Sequence, residues 1–475
     1  MTMRSLFLQA PSFDGYDGGA GARYQMKREV KSFWFPTWLA QPAALVEGSK
    51  LIDAPAHDLS FEDISPEAKQ RDLVVLHTST PSFQQDIKTA EMLKALNPSL
   101  KIGMIGSKVA VDAEGSLKAS EAIDFVARNE FDFTILDVAQ DKAWDKIDGI
   151  SYRNKSGVIV HNQDREVLTD MDQLPFVTPI YKRDLEIERY YGGYLKHPYI
   201  SFYTGRGCKS RCTFCLWPQT VGGHNYRVRS IPHVIEEVKY CLKAFPQMKE
   251  IFFDDDTLTD NAPRVEALAV ELGKLGVTWS CNAKANVPYK TLKIMRENGL
   301  RVLLVGFESG NQQILINIKK GLRVEVARQF AKDCKTLGIK VHGTFILGLP
   351  GETRETIQET LRYAKEIDPH TIQVSLAAPY PGTFLHNQAL QNGWFDDKRN
   401  LLNDDGNQIA QLSYDHLPAR EIFDAVEDFY KKFYFRPAKI GSIVNEMVRD
   451  SDMMKRRLRE GVEFFNFLRD RKKAA

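Results

Sequence analysis

Cys208, Cys212 and Cys215 fall within one short run, Tyr-Thr-Gly-Arg-Gly-Cys-Lys-Ser-Arg-Cys-Thr-Phe-Cys, spaced Cys-x3-Cys-x2-Cys with Phe214 just before the third. Three thiolates are one short of the four cysteines that normally hold a 4Fe–4S cluster. A cube held by three keeps one iron open for a small ligand, as a catalytic zinc site differs from a closed structural one. An open iron beside a bound sulfonium compound can pass it one electron and break a carbon–sulfur bond. Zinc ribbons prefer paired Cys-x2-Cys units or Cys/His pairs. This chain has no second pair, and His224, the nearest following histidine, falls outside finger spacing. Six cysteines among 475 residues are too sparse for a disulfide framework. Cys241, Cys281 and Cys334 stand alone in apolar surroundings and read as buried, inert thiols.

The elements that must position this loop follow from patterning. The length predicts about three domains at ~150 residues each. Hydrophobic content of 43% and charged content of 27% are those of an ordinary globular protein. A net charge of +2 gives no reason to expect a nucleic-acid partner. The opening apolar run is too short for a secretory signal, and no run approaches a membrane span of ~18 apolar residues. The expected location is cytoplasmic. Residues 1–140 alternate apolar runs (Ser5–Gln9, Leu73–Thr78, Lys101–Ile105, Asp124–Ala127) with helical stretches such as Pro42–Gly48 and Phe83–Leu96. This predicts an α/β, doubly wound (Rossmann-like) parallel sheet. Residues 141–196 read as a linker with a small hairpin, GISYR then GVIV. Residues 197–385 hold six strand candidates: Tyr199–Tyr203, Glu250–Phe253, Val277–Asn282, Arg301–Gly306, Lys340–Leu347 and Thr371–Ala377. Six strands separated by helices predict a partial (β/α)6 barrel, with chemistry at the C-terminal strand ends. Residues 386–475 read as a helical C-terminal domain rich in aromatics.

Each strand end has two readings. Phe252-Phe253-Asp254-Asp255-Asp256 is either a cation-binding cluster or a helix cap. Gly306-Phe307-Glu308-Ser309-Gly310 offers acceptors suited to ribose hydroxyls or an amino group, a weak signal alone. The run Gly343 to Thr353 can lay backbone against a flat base, or it is a tight turn before a capped helix. Lys284 meets a carboxylate or is a surface cation. On the first sheet, ligands bind outside the carboxyl strand ends, here at Pro11, His77-Thr78-Ser79-Thr80, Gly106-Ser107 and Glu130. The alternative is ordinary capping.

The cysteine spacing, the aromatic residue before the third cysteine and the ordered strand-end motifs resemble the radical S-adenosylmethionine (radical SAM) superfamily. The resemblance implies a 4Fe–4S cluster on Cys208, Cys212 and Cys215. It also implies S-adenosylmethionine (SAM) held by Phe214, Asp254, Asp255, Asn282, Lys284, Glu308, Ser309, Ile346 and Gly348. The N-terminal region, with GISYRNKSG and DMDQLP in the connector, is similar to the cobalamin-binding branch. That implies cobalamin at Pro11, Thr78, Ser79, Thr80, Gly106, Ser107 and Glu130. The Asp-x-His-x-x-Gly pattern of other cobalamin proteins is absent, so no protein histidine is expected below the cobalt. tRNA methylthiotransferases need three further cysteines before the triplet, but the first cysteine here is Cys208.

The openings LFLQAPSFDGYDGGAGARYQ and KSFWFPTWLAQPAALVEGSKLIDAP resemble the hopanoid-biosynthesis members of the superfamily. This implies a glycosylated hopanoid lipid substrate, with the glucosamine ring on bacteriohopanetetrol contracted to an aminocyclopentitol (cyclitol) ether. It also implies a one-electron donor such as flavodoxin or ferredoxin. The alternatives are a cobalamin-dependent radical SAM methyltransferase and a non-enzymatic cofactor-binding sensor. In Met453–Lys473, Leu458, Val462, Phe465 and Leu468 fall at helical spacing among cations. Such a stripe lies on an anionic membrane, here the inner membrane surface, or packs on its own domain.

Overall fold

The computed structural model describes residues 2–13, 32–395 and 409–449, with 454–455, 458–459 and 461–462 beyond them. Much of the glycine-rich opening segment, together with Met453, Phe465 and Leu468, lies outside the described residues. Two sheets dominate. The first contains β1 (Ser5–Gln9), β2 (Lys50–Asp53), β3 (Leu73–His77), β4 (Lys101–Ile105), β5 (Phe125–Ala127), β6 (Ile150–Arg153) and β7 (Ile159–His161). Its order is β2-β1-β3-β4-β5-β6-β7. β1 to β5 run parallel, and β6 and β7 are antiparallel. The first five follow the doubly wound order, whose ligand crevice opens where the winding reverses, between β1 and β3.

Parallel strands covered on both faces are apolar at consecutive positions. β1 shows this: Leu6 and Leu8 enter one core, and Phe7 enters the other. β2 was not anticipated, because four residues at a sheet edge give too short a pattern. The hairpin expected within a linker instead continues the first sheet through the β5–β6 pairing. The helix expected at Pro42–Gly48 spans Thr37–Leu45 with Pro42 inside it. Burial of Trp38, Leu39 and Ala40 outweighs the proline's lost hydrogen bond there. The helix Phe83–Leu96 forms with the expected bounds.

A short two-stranded pair, β9 (Gly205–Arg206) with β10 (Arg227–Val228), brackets the cysteine loop. The second sheet is β8 (Tyr199–Phe202), β11 (Glu250–Phe253), β12 (Trp279–Ala283), β13 (Leu300–Glu308), β14 (Lys340–Leu347) and β15 (Thr371–Leu376). These six are the expected strands, shifted at their ends by at most two residues. They are parallel and ordered β15-β14-β13-β12-β11-β8, with β8 and β15 as the two outer strands, an open barrel. The helix Ala419–Tyr434 closes the β15 edge. Its Tyr430 and Tyr434 hydroxyls accept hydrogen bonds from the Val374 and Ile372 amides at 2.8 and 3.0 Å. Covering an edge in this way removes a template for strand addition. Among the described residues, no helix is long and apolar enough to cross a membrane.

One hydrophobic core runs without a break from the inner face of the first sheet into the barrel. Phe35 stacks on Tyr190 with ring centroids 4.1 Å apart. Trp38 stacks on Trp217, just after the cysteine loop, at 5.0 Å and 6°. The buried Arg206–Asp132 pair and the Arg227–Glu130 pair cross the same boundary. At the rim, Val111 of the first domain touches Gly382 of the barrel so closely that an added Cβ would meet it at 2.4 Å. The carboxyl edges of both sheets therefore converge on the cysteine loop.

Candidate radical SAM site

Cys208 and Cys212 are buried and Cys215 is partly exposed, in the loop that follows β8. The loop is held by its carbonyls. The Gln219 carboxamide Nε2 reaches the carbonyls of Cys212, Thr213 and Cys215 at 3.2, 3.3 and 2.6 Å. Two N–H donors are thus shared among three acceptors. Its Oε1 accepts from the Phe384 amide at 2.9 Å. On the other side, His224 Nδ1 donates to the carbonyls of Ser210 and Cys208 at 2.9 and 3.2 Å. Both partners are acceptors, so Nδ1 carries the proton. The Thr213 amide donates to Ile318 O at 2.9 Å and Thr213 O accepts from Leu385 N at 3.0 Å.

Burial raises the Cys212 and Cys215 thiols. For Cys215, Asp256 and the other two thiols add to that rise, so the three sulfurs stand within electrostatic reach of one another. A cation among them reverses this penalty. Among the described residues, no three His, Cys, Asp or Glu groups converge on the position of a single metal ion. The buried Thr213 hydroxyl lacks a protein partner, a cost that a sulfur acceptor beside it would remove. The residues present fit a 4Fe–4S cluster.

The strand ends separate into two groups. Asp254 and Asn282 meet at 3.3 Å from adjacent strands. Asp255 is fully buried and accepts from Thr204 N, Thr204 Oγ1 and Tyr226 OH at 2.6, 2.7 and 2.6 Å. Burial raises its pKa despite Arg264 and those donors, so it fastens the backbone after β8. Lys284 pairs with Asp260 at 2.6 Å. Glu308 is buried with a left-handed backbone (φ 61°) and pairs with Lys320 at 2.7 Å. A Cβ on Gly306 would lie 2.3 Å from the Glu308 carboxylate and 2.8 Å from the Lys320 ammonium, so a side chain there would displace this pair. Burial opposes the Lys320 charge, but Glu308 and the thiols of Cys212 and Cys215 outweigh it and hold its pKa above the usual lysine range. Ser309 is buried and shares a hydrogen bond with Thr360 at 3.0 Å. Phe214 and Ile346 line the edge of the core, partly exposed.

Gly348 (φ 86°) donates to Glu352 and accepts from Tyr414 OH at 2.9 Å. On the first sheet, Pro11, Thr78, Ser79, Gly106 and Ser107 are buried at the carboxyl edge, and Thr80 is partly exposed. Gly106 (φ 120°) approaches the Thr78 carbonyl so closely that a Cβ would meet it at 2.2 Å. Glu130 is engaged by Arg227 and by the Leu168 amide at 3.1 Å.

Lys320, Gln219 and the tying role of His224 were missed by sequence reasoning. Lys320 stands 12 positions beyond Glu308, with only the Lys-Lys-Gly turn to mark it. Gln219 carried no signal at all. Gln219→Ala is expected to cost about 1–2 kcal/mol, because carbonyls it satisfies lose a donor. Gln219→Glu, which sets a carboxylate against three carbonyls, should be worse. Iron and sulfide content after anaerobic reconstitution is the measurement, and full content in both variants contradicts the role.

Glu352 is fully buried, and its carboxyl is pushed up to about 8 by burial, against hydrogen bonds from the Gly348 and Leu349 amides. The unfolded chain releases this proton near the ordinary glutamate value, but the native state keeps it to about pH 8. The native state thus binds more protons in that window, and stability falls as pH rises through it. Glu352→Gln should flatten the fall between pH 5 and 8 in urea-denaturation midpoints. An equally steep fall in the variant assigns the effect elsewhere.

The Radical SAM superfamily model matches residues 202–364, from the end of β8 through β14 and most of the helix that follows. The chain is 30% identical over 424 residues to an uncharacterized methyltransferase of Pyrococcus horikoshii, covering 87% of this chain and 90% of that protein. It is 25% identical over 460 residues to the anaerobic magnesium-protoporphyrin IX monomethyl ester cyclase of Rubrivivax gelatinosus, covering 92% and 78%. Among solved structures it is similar to the radical SAM methyltransferase TsrM of Kitasatospora setae, with a TM-score of 0.70 and 14% identity, over 92% of this chain and 89% of that one. A second TsrM structure holds cobalamin and a 4Fe–4S cluster, with a TM-score of 0.68 and 13% identity, over 92% of each chain. With the cysteine loop, the six-stranded open barrel and a full-length relative in agreement, the chain belongs to the radical SAM superfamily.

Proposed function

We propose that this protein is a cobalamin-dependent radical SAM enzyme whose reaction is methyl transfer. The observation that carries the reading is the convergence of two carboxyl sheet edges on one cysteine loop, through Val111, Gly382 and Trp217. Such a junction suits two cofactors, one on each edge. When bound, the cluster, SAM and cobalamin supply the electron transfer, carbon–sulfur cleavage and methyl carriage, and the protein binds, orients and excludes water.

Cys208, Cys212 and Cys215 hold the cluster. Lys320, charged and partly buried against Glu308, offers SAM's carboxylate a cation, and the Asp254–Asn282 pair offers its amino group an acceptor. Pro11, Thr78, Ser79, Thr80, Gly106 and Ser107 line the edge for cobalamin. Methyl-transfer names among the relatives support this reading, and the cyclase name shows that other chemistry shares the scaffold.

A second reading, contraction of the glucosamine ring of a hopanoid lipid to a cyclitol ether, rests on the two opening segments alone. The two differ in product. With methyl-labelled SAM, methyl transfer places the label in the substrate, whereas ring contraction leaves it in methionine and changes the sugar skeleton. Serine at any of the three cysteine positions is expected to abolish SAM consumption, and a variant that retained it would falsify the cluster assignment. No label in any offered acceptor, with a contracted sugar recovered, replaces the first reading by the second.

For a lipid substrate, the helix Pro437–Arg449 presents Ile440, Val444 and Val448 at four-residue spacing, 45%, 51% and 79% exposed. Leu458 and Val462 continue the exposed series. An apolar face of this kind lies on a membrane surface. The full chain should float with anionic liposomes, and truncation after 436 should abolish flotation; equal flotation removes the idea.

A further inference from the structure

The cysteine loop meets a second loop of the barrel, the one that leaves β11. Residues 254–257 lead from that strand into a single helical turn, Leu258–Asp260, anchored by the fully buried Leu258. The Lys284 amide donates to Thr259 Oγ1 at 3.4 Å, and the Lys284 ammonium pairs with Asp260 at 2.6 Å, so the turn is tied to the end of β12. Thr257, 6% exposed, is thereby seated against the cysteine loop, with its Oγ1 3.7 Å from Cys208 Sγ. Among the described residues, no other side chain hydrogen-bonds a sulfur of the triplet.

The Thr257 hydroxyl has one proton and two neighbours. The Asp256 carbonyl, 2.6 Å away, can only accept. A protonated Cys208 thiol can donate to Oγ1 and leave the hydroxyl proton on that carbonyl. A metal-bound thiolate carries no proton and can only accept, which makes the hydroxyl the donor of the pair. Threonine's branched Cβ restricts χ1 and keeps the oxygen beside the sulfur. The rest of the triplet is served from another direction: Lys320 is held charged by Glu308 and by Cys212 and Cys215.

We infer that Thr257, acting through Cys208, sets the reduction potential of the 4Fe–4S cluster. The inference rests on the radical SAM reading, in which the triplet holds that cluster. Reduction adds one electron, drawn from an external reductant that is oxidised by one equivalent, and no atoms move. The added negative charge makes the ligand sulfurs better acceptors. A donor to one of them therefore stabilises the reduced state more than the oxidised state and raises the potential. Water admitted by a loosened loop also solvates the added charge and raises the potential. The two effects separate by sign: loss of the donor lowers the potential, whereas damage to the packing raises it.

The test is a redox titration of the anaerobically reconstituted full chain, with titanium(III) citrate as reductant and the electron-paramagnetic signal of the reduced cluster as readout. T257V keeps the branched shape without the hydroxyl, and T257S keeps the hydroxyl. At a fixed potential the ratio of reduced to oxidised cluster should fall at least threefold in T257V, a midpoint about 30 mV lower for a one-electron couple. T257S should stay near the parent. The midpoint is read only from the clusters present, so partial loading leaves it readable. An unchanged or raised midpoint in T257V overturns the proposal. So does an equal lowering in T257S, or a T257V chain that loads no cluster at all, which marks a structural role. A parent chain that takes up no iron and sulfide instead strikes the radical SAM reading, and this proposal falls with it.

Discussion

Three sulfur ligands, of which burial raises the Cys212 and Cys215 thiols, must be held together before any metal arrives, and this protein does so by gripping the peptide carbonyls of the loop. Gln219 and His224 take five carbonyls between them, three of which belong to the cysteines themselves. The sulfurs are left for the metal. Their mutual repulsion and burial are offset in part by Lys320, itself kept charged by Glu308. A cation that must serve a buried site needs a buried counter-charge, since an unpaired ammonium there would lose its proton instead. Gly306 and the left-handed backbone of Glu308 make room for that pair.

The loop is also the meeting point of two sheets. A parallel sheet leaves its ligand-binding edge at the carboxyl ends of its strands. Two such edges can serve one reaction only if they face each other at a fixed distance. Here the boundary is filled by stacked aromatics and crossed by the Arg206–Asp132 and Arg227–Glu130 pairs. Buried pairs of this kind add little net stability, but either partner alone is costly, so they define one arrangement of the parts. The unbroken core beneath them resists sliding.

Within the strand-end motifs, scaffold and site residues are interleaved. Asp255 fastens the backbone after β8 while its neighbour Asp254 meets Asn282. Glu308 faces Lys320 while Ser309 bonds Thr360. Consecutive residues leaving a strand point to opposite sides, so a motif read as one functional block divides between holding the backbone and meeting a ligand.

The sequence by itself determined the six barrel strands, the helix Phe83–Leu96 and the thiol triplet, because apolar periodicity and ligand spacing are local properties of the chain. It did not reveal β2, whose four edge residues give no period to read, nor the joining of the β6–β7 hairpin to the first sheet. Tertiary structure alone decided that Lys320 meets Glu308, that Gln219 grips the loop, and that Glu130 is drawn to Arg227, 97 positions away. Such partners are chosen by which side chains the packed sheets bring within hydrogen-bond reach, and a burial that forbids unpaired charge then makes each choice obligatory.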